Sequence, residues 1–453
     1  MHDADIKNLK GLTQDSRAVK RGYLFAALPG SKTDGRRYIA DALRNGAAAL
    51  LVPSDTVLPE DLDVSSVRII RDPNPPQRLA QLAAAFYGRQ PDHIVAVTGT
   101  NGKTSTVHFV KQLWTMQGRK AASIGTLGVR MPGAVRSGAM TTPDPVSLHA
   151  ALADLAAAGV THLAMEASSH GLDQYRLDGV NIAAAAFTNL TRDHLDYHGD
   201  MESYWKAKRR LFAELLREGG AAVINADTPQ AADLAALAQK RNLRILSYGH
   251  TGKDLKILKA EPAPHGIHVT LDILGQAADL TLPLVGDFQV MNVLCALGLV
   301  LAEDPGSAQT HLANLERLQG VPGRLQLVPG HPAGAAVYID YAHTPDALEN
   351  ILQALRKHTE GRLICLFGCG GDRDRGKRPI MGRIASENAD LVIVTDDNPR
   401  SEKPAAIRQD ILAAVPGARE LPDRRAAIRE AIQDLRAGDI LVIAGKGHEQ
   451  GQI

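Results

Sequence analysis

The sequence predicts an α/β protein of three domains: an N-terminal domain, a central P-loop ATPase-like domain with a largely parallel sheet, and a C-terminal Rossmann-like domain. Three observations predict this class. The chain has 453 residues, and a domain has about 150 residues on average. Short apolar runs alternate with helical patterns, which is typical of parallel sheets covered by helices. One of these runs ends in a glycine-rich turn that leads directly into a helix.

The predicted domains are 1–88, 89–322 and 323–453. The first boundary lies at a turn-rich segment, Gly-Arg-Gln-Pro-Asp, and the second at Gly-Val-Pro-Gly. The third domain repeats the alternation of strand and helix, which predicts Rossmann-like order. The predicted strands are Gly22–Ala27, Ala47–Val52 and Val67–Ile70, then Ile94–Thr98, His162–Glu166, Ala183–Thr188 and Ala221–Asn225, then Val337–Asp340, Leu363–Phe367, Leu391–Thr395 and Ile440–Ala444.

Composition and charge indicate which classes of binding partner to expect. A net charge of +1 and only 4% aromatic residues give no reason to expect nucleic acid or an anionic membrane surface. The odd, low cysteine count (Cys295, Cys365 and Cys369) indicates reduced thiols. The N-terminus lacks an apolar signal region, and no apolar run reaches the ~18 residues that a membrane span requires. We therefore expect a soluble cytoplasmic protein with no membrane insertion.

The glycine-rich turn predicts nucleotide binding. Glycines let backbone N–H groups approach phosphate oxygens, Lys103 neutralises phosphate charge, and Thr104 can place a hydroxyl on Mg²⁺. The loop is shorter than the usual pattern, because Val97 stands where that pattern has its first glycine. A helix is predicted from Ser105 to Met116, so the setting is strand, turn and helix. The predicted phosphate-binding residues are Gly99, Thr100, Asn101, Gly102, Lys103, Thr104 and Ser105.

Two further polar clusters follow predicted strands, where ligands of open α/β sheets collect. Glu166 ends one strand and can complete a Mg²⁺ site with Thr104, because hard Mg²⁺ prefers oxygen ligands. The segment 192–198 holds two histidines and two aspartates, which favours a metal or phosphate role over a solvated loop. A Lys/Arg cluster at 206–210 lies on an amphipathic helix and, taken alone, indicates a solvated face.

Together these motifs resemble the Mur ligase family, whose members add amino acids to the UDP-muramoyl peptide of bacterial cell walls. The resemblance rests on Gly99–Thr104, Met165–His170, Arg192–His194 and Ala207–Lys208. It implies that Lys208 is carbamylated by CO₂, which turns an ammonium into an anionic oxygen ligand for a second Mg²⁺ beside His194. The implied metal ligands are thus Thr104, Glu166, His194 and Lys208, and the implied catalytic residues are Lys103, Lys208 and His194.

The resemblance continues into the later parts of the chain. Asn292 matches an asparagine that contacts the nucleotide in the family. Gly320–Arg324 matches the junction to the third domain, and 340–348 matches a loop that reaches the ATP. The implied ATP-binding residues outside the P-loop are Asn292, Arg324, Asp340 and His343.

The early part of the chain resembles the family members that form the UDP-linked tripeptide. Ser16 and the loop Ser31, Lys32 and Thr33 align with contacts to uridine diphosphate. Hydroxyl, amide and guanidinium groups further along suit pyrophosphate, sugar and carboxylate oxygens. The implied UDP-MurNAc-dipeptide contacts there are Thr141, Thr142, Ser168, Gln174 and Arg176.

The third domain contains the residues that predict which amino acid is added. Family members that add meso-diaminopimelate carry Asp-Asn-Pro-Arg, as at 397–400 here, whereas L-lysine adders typically replace the arginine. A guanidinium can bind the distal carboxylate of diaminopimelate through two hydrogen bonds, and lysine lacks that carboxylate. The alternative is that Arg400 is a surface loop residue. The implied diaminopimelate contacts are Arg373, Asp397, Asn398, Pro399, Arg400, Gly445 and Glu449.

The implied function is an ATP-dependent amide ligase that forms ADP and phosphate. It would join meso-diaminopimelate to the D-Glu of UDP-MurNAc-L-Ala-D-Glu through an acyl phosphate, in peptidoglycan precursor synthesis. The same reaction with L-lysine is the first alternative. A folylpolyglutamate synthase-like ligase and a non-catalytic P-loop switch are less favoured. We expect a monomer that binds ATP, two Mg²⁺ ions and small-molecule substrates only.

Overall fold

The computed structural model describes residues 6, 8–30, 33–60, 62–136, 138, 140–263, 266–449 and 451. Ser31 and Lys32, two predicted substrate contacts, lie outside the described residues. Strands and helices alternate along most of the chain, and the predicted α/β class is confirmed. The strands are β1 Gly11–Thr13, β2 Tyr23–Ala26, β3 Ala49–Pro53, β4 Arg68–Asp72, β5 His93–Thr98, β6 Ala121–Gly125, β7 Gly128–Met131, β8 Ala134–Arg136, β9 His162–Glu166, β10 Ile182–Phe187, β11 Leu216–Asn225, β12 Arg244–Gly249, β13 Leu255–Ala263, β14 Gly266–Ile273, β15 Gln276–Leu282, β16 Gln326–Val328, β17 Ala336–Ile339, β18 Leu363–Phe367, β19 Leu391–Val394, β20 Arg419–Glu420 and β21 Ile440–Ile443.

Most of the helices follow strands and cover sheets. Three short 3₁₀ turns occur at Ser16–Ala18, Gly35–Tyr38 and Pro305–Ser307, and a π-helical turn spans Leu211–Leu215. The α-helices are α1 Ile39–Arg44, α2 Pro75–Tyr87, α3 Lys103–Met116, α4 Pro145–Ala157, α5 Ser169–Asp173, α6 Leu195–His198, α7 Met201–Arg210, α8 Ala231–Lys240, α9 Asp287–Leu301, α10 Ala308–Leu315, α11 Pro345–Arg356, α12 Lys377–Asn388, α13 Pro404–Leu412 and α14 Arg424–Gln433. In the part of the chain that the structure describes, no helix is long and apolar enough to cross a membrane.

The strands form three sheets among the described residues. The first has the order β1-β2-β3-β4, and its pairs are parallel. The second has the order β15-β14-β13-β12-β11-β10-β5-β9-β6-β7-β8 and the third β16-β17-β21-β18-β19-β20. In the third sheet only the edge pair β16–β17 is antiparallel among the described strands. A parallel sheet places the loops after its strands along one edge.

The strand sequences explain the burial of the first and third sheets. In β2, Leu24 and Phe25 are 0% and 1% exposed and belong to separate core clusters on opposite faces. In β18, Ile364 and Cys365 likewise belong to separate core clusters on opposite faces. Strands that are covered on both faces read as continuous apolar runs rather than as alternating patterns. This is why the runs were visible in the sequence.

The described contacts separate the chain into two compact units. One comprises residues 1–96, 118–185 and 207–220, and the other comprises 97–117, 186–206 and 221–453. The predicted domain boundaries at 88 and 322 stay predictions.

Several predicted elements differ from the structure in their bounds. His162–Glu166 and Leu363–Phe367 are strands over the predicted residues, whereas the strand predicted from Ala221 begins at Leu216. The helix predicted from Ser105 begins at Lys103, because Gly102 already ends the turn in a left-handed conformation. The sequence did not predict the strands β1, β6, β7, β8, β12, β13, β14, β15, β16 and β20.

Candidate active site

The glycine-rich turn between β5 and α3 forms a phosphate-binding loop. Gly99 and Gly102 have φ of +146° and +87°, and a Cβ on Gly99 would collide with the Thr188 hydroxyl. Both positions therefore require glycine. Lys103 Nζ donates to the carbonyl oxygens of Gly99 and Thr100 at 2.8 and 2.7 Å. A nucleotide phosphate binds backbone N–H groups at such a helix N-terminus, beside an ammonium.

The loop after β10 holds the phosphate-binding loop in place. Asn101 N donates to Asn189 Oδ1 at 2.9 Å, and Thr188 Oγ1 donates to Asn101 O at 2.6 Å. Ser105 is buried in the first turn of α3. Neighbouring side chains thus hold the backbone of the loop in place.

Two of the predicted nucleotide contacts from later in the chain reach this loop. Arg324 Nη2 donates to Thr104 Oγ1 at 3.2 Å, and its guanidinium lies 4.4 Å from the centre of the Tyr341 ring. Asn292 Oδ1 lies so close to Gly102 that a Cβ there would collide with it. The structure therefore brings Asn292 and Arg324 to the P-loop within one compact unit.

Asp340 and His343 lie on the loop after β17. The buried Asp340 carboxylate accepts hydrogen bonds from Leu325 N and Ala342 N, both at 2.6 Å. Burial raises the pKa of the Asp340 carboxyl, although these N–H groups and nearby charges oppose the rise. In this structure the Asp340 carboxylate stabilises the loop after β17 through these two hydrogen bonds. His343 Nδ1 lies 3.0 Å from the carbonyl oxygen of Tyr341.

Asp193, which the sequence analysis placed in the 192–198 cluster without a role of its own, lies between two predicted site histidines. Asp193 is buried, and its Oδ2 lies 3.3 Å from His194 Nε2 and 3.7 Å from His343 Nε2. Burial raises the pKa of the Asp193 carboxyl, but the histidines lower it by more, so that the pKa lies well below its usual range. Asp193 is therefore an anion that orients both rings.

A hydrogen bond between the P-loop and α11 was also not predicted from the sequence. Asn101 Nδ2 of the P-loop donates to Asp346 Oδ2 at 2.7 Å. Asp346 lies in the first turn of α11, which Thr344 caps through its hydroxyl. The pairing joins residues that are far apart in the chain, and only the folded structure reveals it.

The predicted amino-acid contacts surround a cavity of about 130 Å³ beyond the third sheet. Six of the seven predicted residues line it, and Pro399 does not. Pro399 instead accepts a backbone hydrogen bond from Glu402 at 3.0 Å. The lining residues are Asp193, His194, Asp196, Tyr341, His343, Gly368, Cys369, Gly370, Arg373, Asp374, Lys377, Asp397, Asn398, Arg400, Gly445 and Glu449.

The cavity has charges of both signs. Arg400 Nη1 donates to Gly371 O at 2.7 Å, and Arg373 lies 3.8 Å from the Asp196 carboxylate. Glu449 Oε2 accepts from Lys446 Nζ at 3.0 Å and from Asn398 Nδ2 at 3.3 Å. Guanidinium and carboxylate groups in one cavity suit a ligand that is itself zwitterionic.

Most of the predicted UDP-dipeptide contacts form a network in the other compact unit. Thr142 Oγ1 donates to Glu166 O at 2.9 Å and accepts from Ser168 N at 3.0 Å. Arg176 donates to Thr142 O at 2.7 Å and to Gln174 Oε1 at 2.6 Å. The hydroxyl of Thr141 joins this network through Thr126, at 3.1 Å.

Ser16 and Thr33 lie apart from that network. Ser16 is buried in a 3₁₀ turn that Asp15 caps. Thr33 O accepts a hydrogen bond from Gly30 N at 3.0 Å. Between described residues, no hydrogen bond links either of them to Thr142, so their substrate role stays a prediction.

The predicted metal ligands are distributed over both compact units. Glu166 is 1% exposed, and its carboxylate accepts from Thr126 N at 2.8 Å and Thr126 Oγ1 at 3.0 Å. Lys208 is 1% exposed near the end of α7, just before the π-helical turn. A hydroxyl, a carboxylate and a carbamate are oxygen donors, and such donors fit Mg²⁺. Among described residues no group of three or more His, Cys, Asp or Glu side chains is arranged to hold a metal, and the metal sites stay predictions.

Comparison with protein families identifies the class of protein. The Mur ligase family catalytic domain matches residues 8–87, the Mur ligase middle domain matches 97–300, and the Mur ligase glutamate ligase domain matches 323–447. The chain belongs to the Mur ligase family, and it is an ATP-dependent, amide-bond-forming ligase.

Individual relatives match almost the whole chain. It is 52% identical to the UDP-N-acetylmuramoyl-L-alanyl-D-glutamate–2,6-diaminopimelate ligase of Caulobacter vibrioides, over 98% of this chain and 92% of that protein. It is 51% identical to the ligase of the same name from Rhizobium meliloti, over 99% of this chain and 91% of that protein.

Solved structures support the same fold. A UDP-N-acetylmuramoyl-L-alanyl-D-glutamate–2,6-diaminopimelate ligase structure matches with a TM-score of 0.70 and 38% identity, over 98% of this chain and 91% of that chain. The folylpolyglutamate synthase of Mycobacterium tuberculosis, complexed with ADP and AMPPCP, matches with a TM-score of 0.67 and 21% identity, over 82% of this chain and 92% of that chain. The second likeness shows a shared fold alone.

Proposed function

We propose that this ligase joins meso-diaminopimelate to the D-Glu of UDP-MurNAc-L-Ala-D-Glu, with ATP converted to ADP and phosphate, in peptidoglycan precursor synthesis. The observation that carries the proposal is the cavity in which Arg400, Arg373, Asp397 and Glu449 meet. The names of relatives about half identical in sequence over nearly the full chain support the same substrates.

The charges in the cavity favour diaminopimelate over lysine. The distal end of meso-diaminopimelate carries an ammonium and a carboxylate, so it matches a guanidinium beside two carboxylates. Lysine has no distal carboxylate and would leave the Arg400 guanidinium without its ligand. An unmatched charge costs free energy when a site closes around its ligand, so we assign Arg400 to the distal carboxylate and Asp397 or Glu449 to the distal ammonium.

The chemistry requires an activated carboxylate. Attack by an amine on a free carboxylate would have to expel oxide, whereas an acyl phosphate has phosphate as its leaving group. A D-Glu carboxylate oxygen attacks the γ-phosphorus, and the bond to the β–γ bridging oxygen breaks to release ADP. The amine nitrogen of diaminopimelate then attacks the acyl carbon, phosphate leaves, and the amine loses its proton. Lys103 and the P-loop N–H groups hold the phosphates during the first step.

We also propose two Mg²⁺ sites, as the resemblance to the family implies. Thr104 and Glu166 would hold one ion, and His194 with a carbamylated Lys208 would hold the other. When bound, the ions neutralise the phosphate charge that develops during phosphoryl transfer. Asp193 supports this assignment, because it orients the His194 ring through a contact of 3.3 Å. The carbamate belongs to the proposal, as do the catalytic roles of Lys103, His194 and Lys208.

The proposal also includes the three predicted domains, a monomeric state and a cytoplasmic location. The substrates are small molecules. The three cysteines are free and buried in the described structure, in keeping with reduced thiols.

Two experiments separate the ligase from its rivals. A non-catalytic P-loop switch would release phosphate without both acceptor substrates, whereas the ligase releases it only when UDP-dipeptide and amino acid are present together. Peptide product should be scored with UDP-MurNAc-L-Ala-D-Glu and, in turn, meso-diaminopimelate, L-lysine or L-ornithine. We expect product chiefly with meso-diaminopimelate. A preference for lysine, or product with a folate and glutamate instead, would overturn the assignment.

A further inference from the structure

Two loops of the C-terminal sheet build one wall of the amino-acid cavity. They follow β18 and β19, which are parallel neighbours, so both loops leave the same edge of the sheet. Gly371 N in the first loop donates to Asn398 O in the second at 2.9 Å. A Cβ on Gly371 would collide with the carbonyl oxygen of Pro399. Since the loops touch this closely, the conformation of one determines that of the other.

Both loops contain a residue in an unfavourable backbone conformation. Arg400 has φ of +52° and Asp372 has φ of +53°, in the left-handed region that residues with a Cβ rarely adopt. Ser401 links these two residues, because its N and Oγ donate to the Asp372 carboxylate at 3.1 and 2.6 Å. Such conformations persist only where surrounding contacts determine them.

The Glu402 carboxylate adds a contact between the second loop and the first. It accepts from Asp372 N at 2.7 Å and from the Arg378 guanidinium at 2.8 and 3.1 Å. Arg378 is 1% exposed in the first turn of α12 and also donates to Asp410 at 2.9 Å. Glu402 therefore ties both loops to a buried, well-anchored cation, although it does not line the cavity itself.

We propose that Glu402 is a positioning residue for amino-acid selection, which fixes the left-handed turn at Arg400 and so holds its guanidinium at the cavity. This inference rests on the proposed function, in which Arg400 binds the distal carboxylate of meso-diaminopimelate. Glu402 acts through Arg400 and touches no substrate. Loss of the Glu402 carboxylate should therefore change KM for meso-diaminopimelate and not KM for ATP or UDP-dipeptide.

The test compares the steady-state kinetics of Glu402→Gln with those of the wild-type chain. Gln keeps the size of the side chain, but its amide places an NH₂ group against donors that need an acceptor. We expect KM for meso-diaminopimelate to rise roughly tenfold, with KM for ATP and UDP-dipeptide within about twofold of wild type. Glu402→Asp keeps the charge and should recover part of the loss.

Asp390→Asn is the matched control. Asp390 also accepts from a backbone N–H, Leu363 N at 2.7 Å, and from a guanidinium, Arg356 Nη1 at 2.8 Å. It immediately precedes β19 of the same sheet and does not line the cavity. A variant that only loosens the domain should act alike at both positions, whereas the positioning role predicts a selective effect at Glu402.

Ser401→Ala serves as a second variant in case Glu402→Gln does not fold. Ser401 is exposed, and this change removes only the hydroxyl bond to Asp372. It should raise KM for meso-diaminopimelate in the same selective way, by a smaller factor. Unchanged KM for diaminopimelate in the folded variants, or an equal rise for all three substrates as in Asp390→Asn, would overturn the inference. Failure of the proposed function is seen separately, as a wild-type enzyme that does not use meso-diaminopimelate.

Discussion

Lys208 carries the largest change of charge in the proposed chemistry. Its amine is buried near the end of α7, and a carbamate there would replace a cation by an anionic oxygen ligand. The helix around it is rich in Lys and Arg, so sequence pattern alone favours a solvated face. Its 1% exposure instead shows an interior side chain, which fits a role inside the site.

The first prediction concerns this residue. Lys208→Ala should lower kcat by about two orders of magnitude or more while ATP affinity stays near wild type, because the P-loop is intact. Added short carboxylates should restore part of the rate. Lys103→Ala should instead weaken nucleotide binding directly. Full activity in a folded Lys208→Ala enzyme would contradict the carbamate assignment, and nucleotide titration supplies the control.

The site residues that could be predicted from the sequence are those that belong to a recognisable motif. Six of the predicted amino-acid contacts line one cavity, and Arg324 and Asn292 reach the P-loop. Their substrate roles stay predictions. Asp193, Asp346 and Glu402 could not be assigned, because their importance depends on partners that only the fold brings within hydrogen-bonding distance.

At the scale of elements, burial on both faces helped prediction but did not decide it: β6 is buried throughout and was not predicted, whereas the partly exposed β4 was. The strand at Leu363–Phe367 is buried throughout and was predicted with its bounds. Strands β14 and β15 form a hairpin that alternates buried and less buried residues. Its two-residue turn is Leu274-Gly275, with φ of +54° and +82°. Turns of this kind usually have the sequence Asn-Gly. Because leucine stands in place of asparagine here, the sequence lacks the pattern that predicts a hairpin.

The second prediction follows from that turn. Leu274→Asn should stabilise the protein by roughly 1 kcal/mol, because asparagine tolerates the left-handed conformation better than leucine does. Urea unfolding would measure the change. The turn lies far from the amino-acid cavity in sequence and does not line it, so kinetic constants should not change. A loss of stability would mean that contacts of the leucine side chain outweigh the backbone strain.

At the scale of the whole molecule, the reaction needs three ligands that bind to different parts of the chain. The UDP-dipeptide contacts are predicted in the first two domains, ATP between the second and third, and diaminopimelate on the third. Within one compact unit, Asn101 pairs with Asp346, and Arg192 pairs with Asp374 at 2.8 and 3.1 Å. These pairs join residues of the predicted second and third domains.

The third prediction is that the domains close about the 320–324 junction when substrates bind. Small-angle X-ray scattering with an ATP analogue plus UDP-dipeptide should show a smaller radius of gyration than the free enzyme. Asp374→Asn weakens the pair with Arg192 and should reduce that change. Identical dimensions with and without ligands would argue against a closure step.

The central claim is that this ligase selects meso-diaminopimelate through Arg400. A charge-assisted hydrogen-bonded pair contributes about 1.5–3 kcal/mol, and each ~1.4 kcal/mol is a factor of ten in rate. The most direct measurement is kcat/KM for meso-diaminopimelate and for L-lysine in wild type and in Arg400→Ala. We predict a wild type that prefers meso-diaminopimelate and a variant that loses about one to two orders of magnitude with that substrate, with KM for ATP and UDP-dipeptide nearly unchanged. A wild type that prefers lysine, or a loss shared equally by all three substrates, would contradict the account.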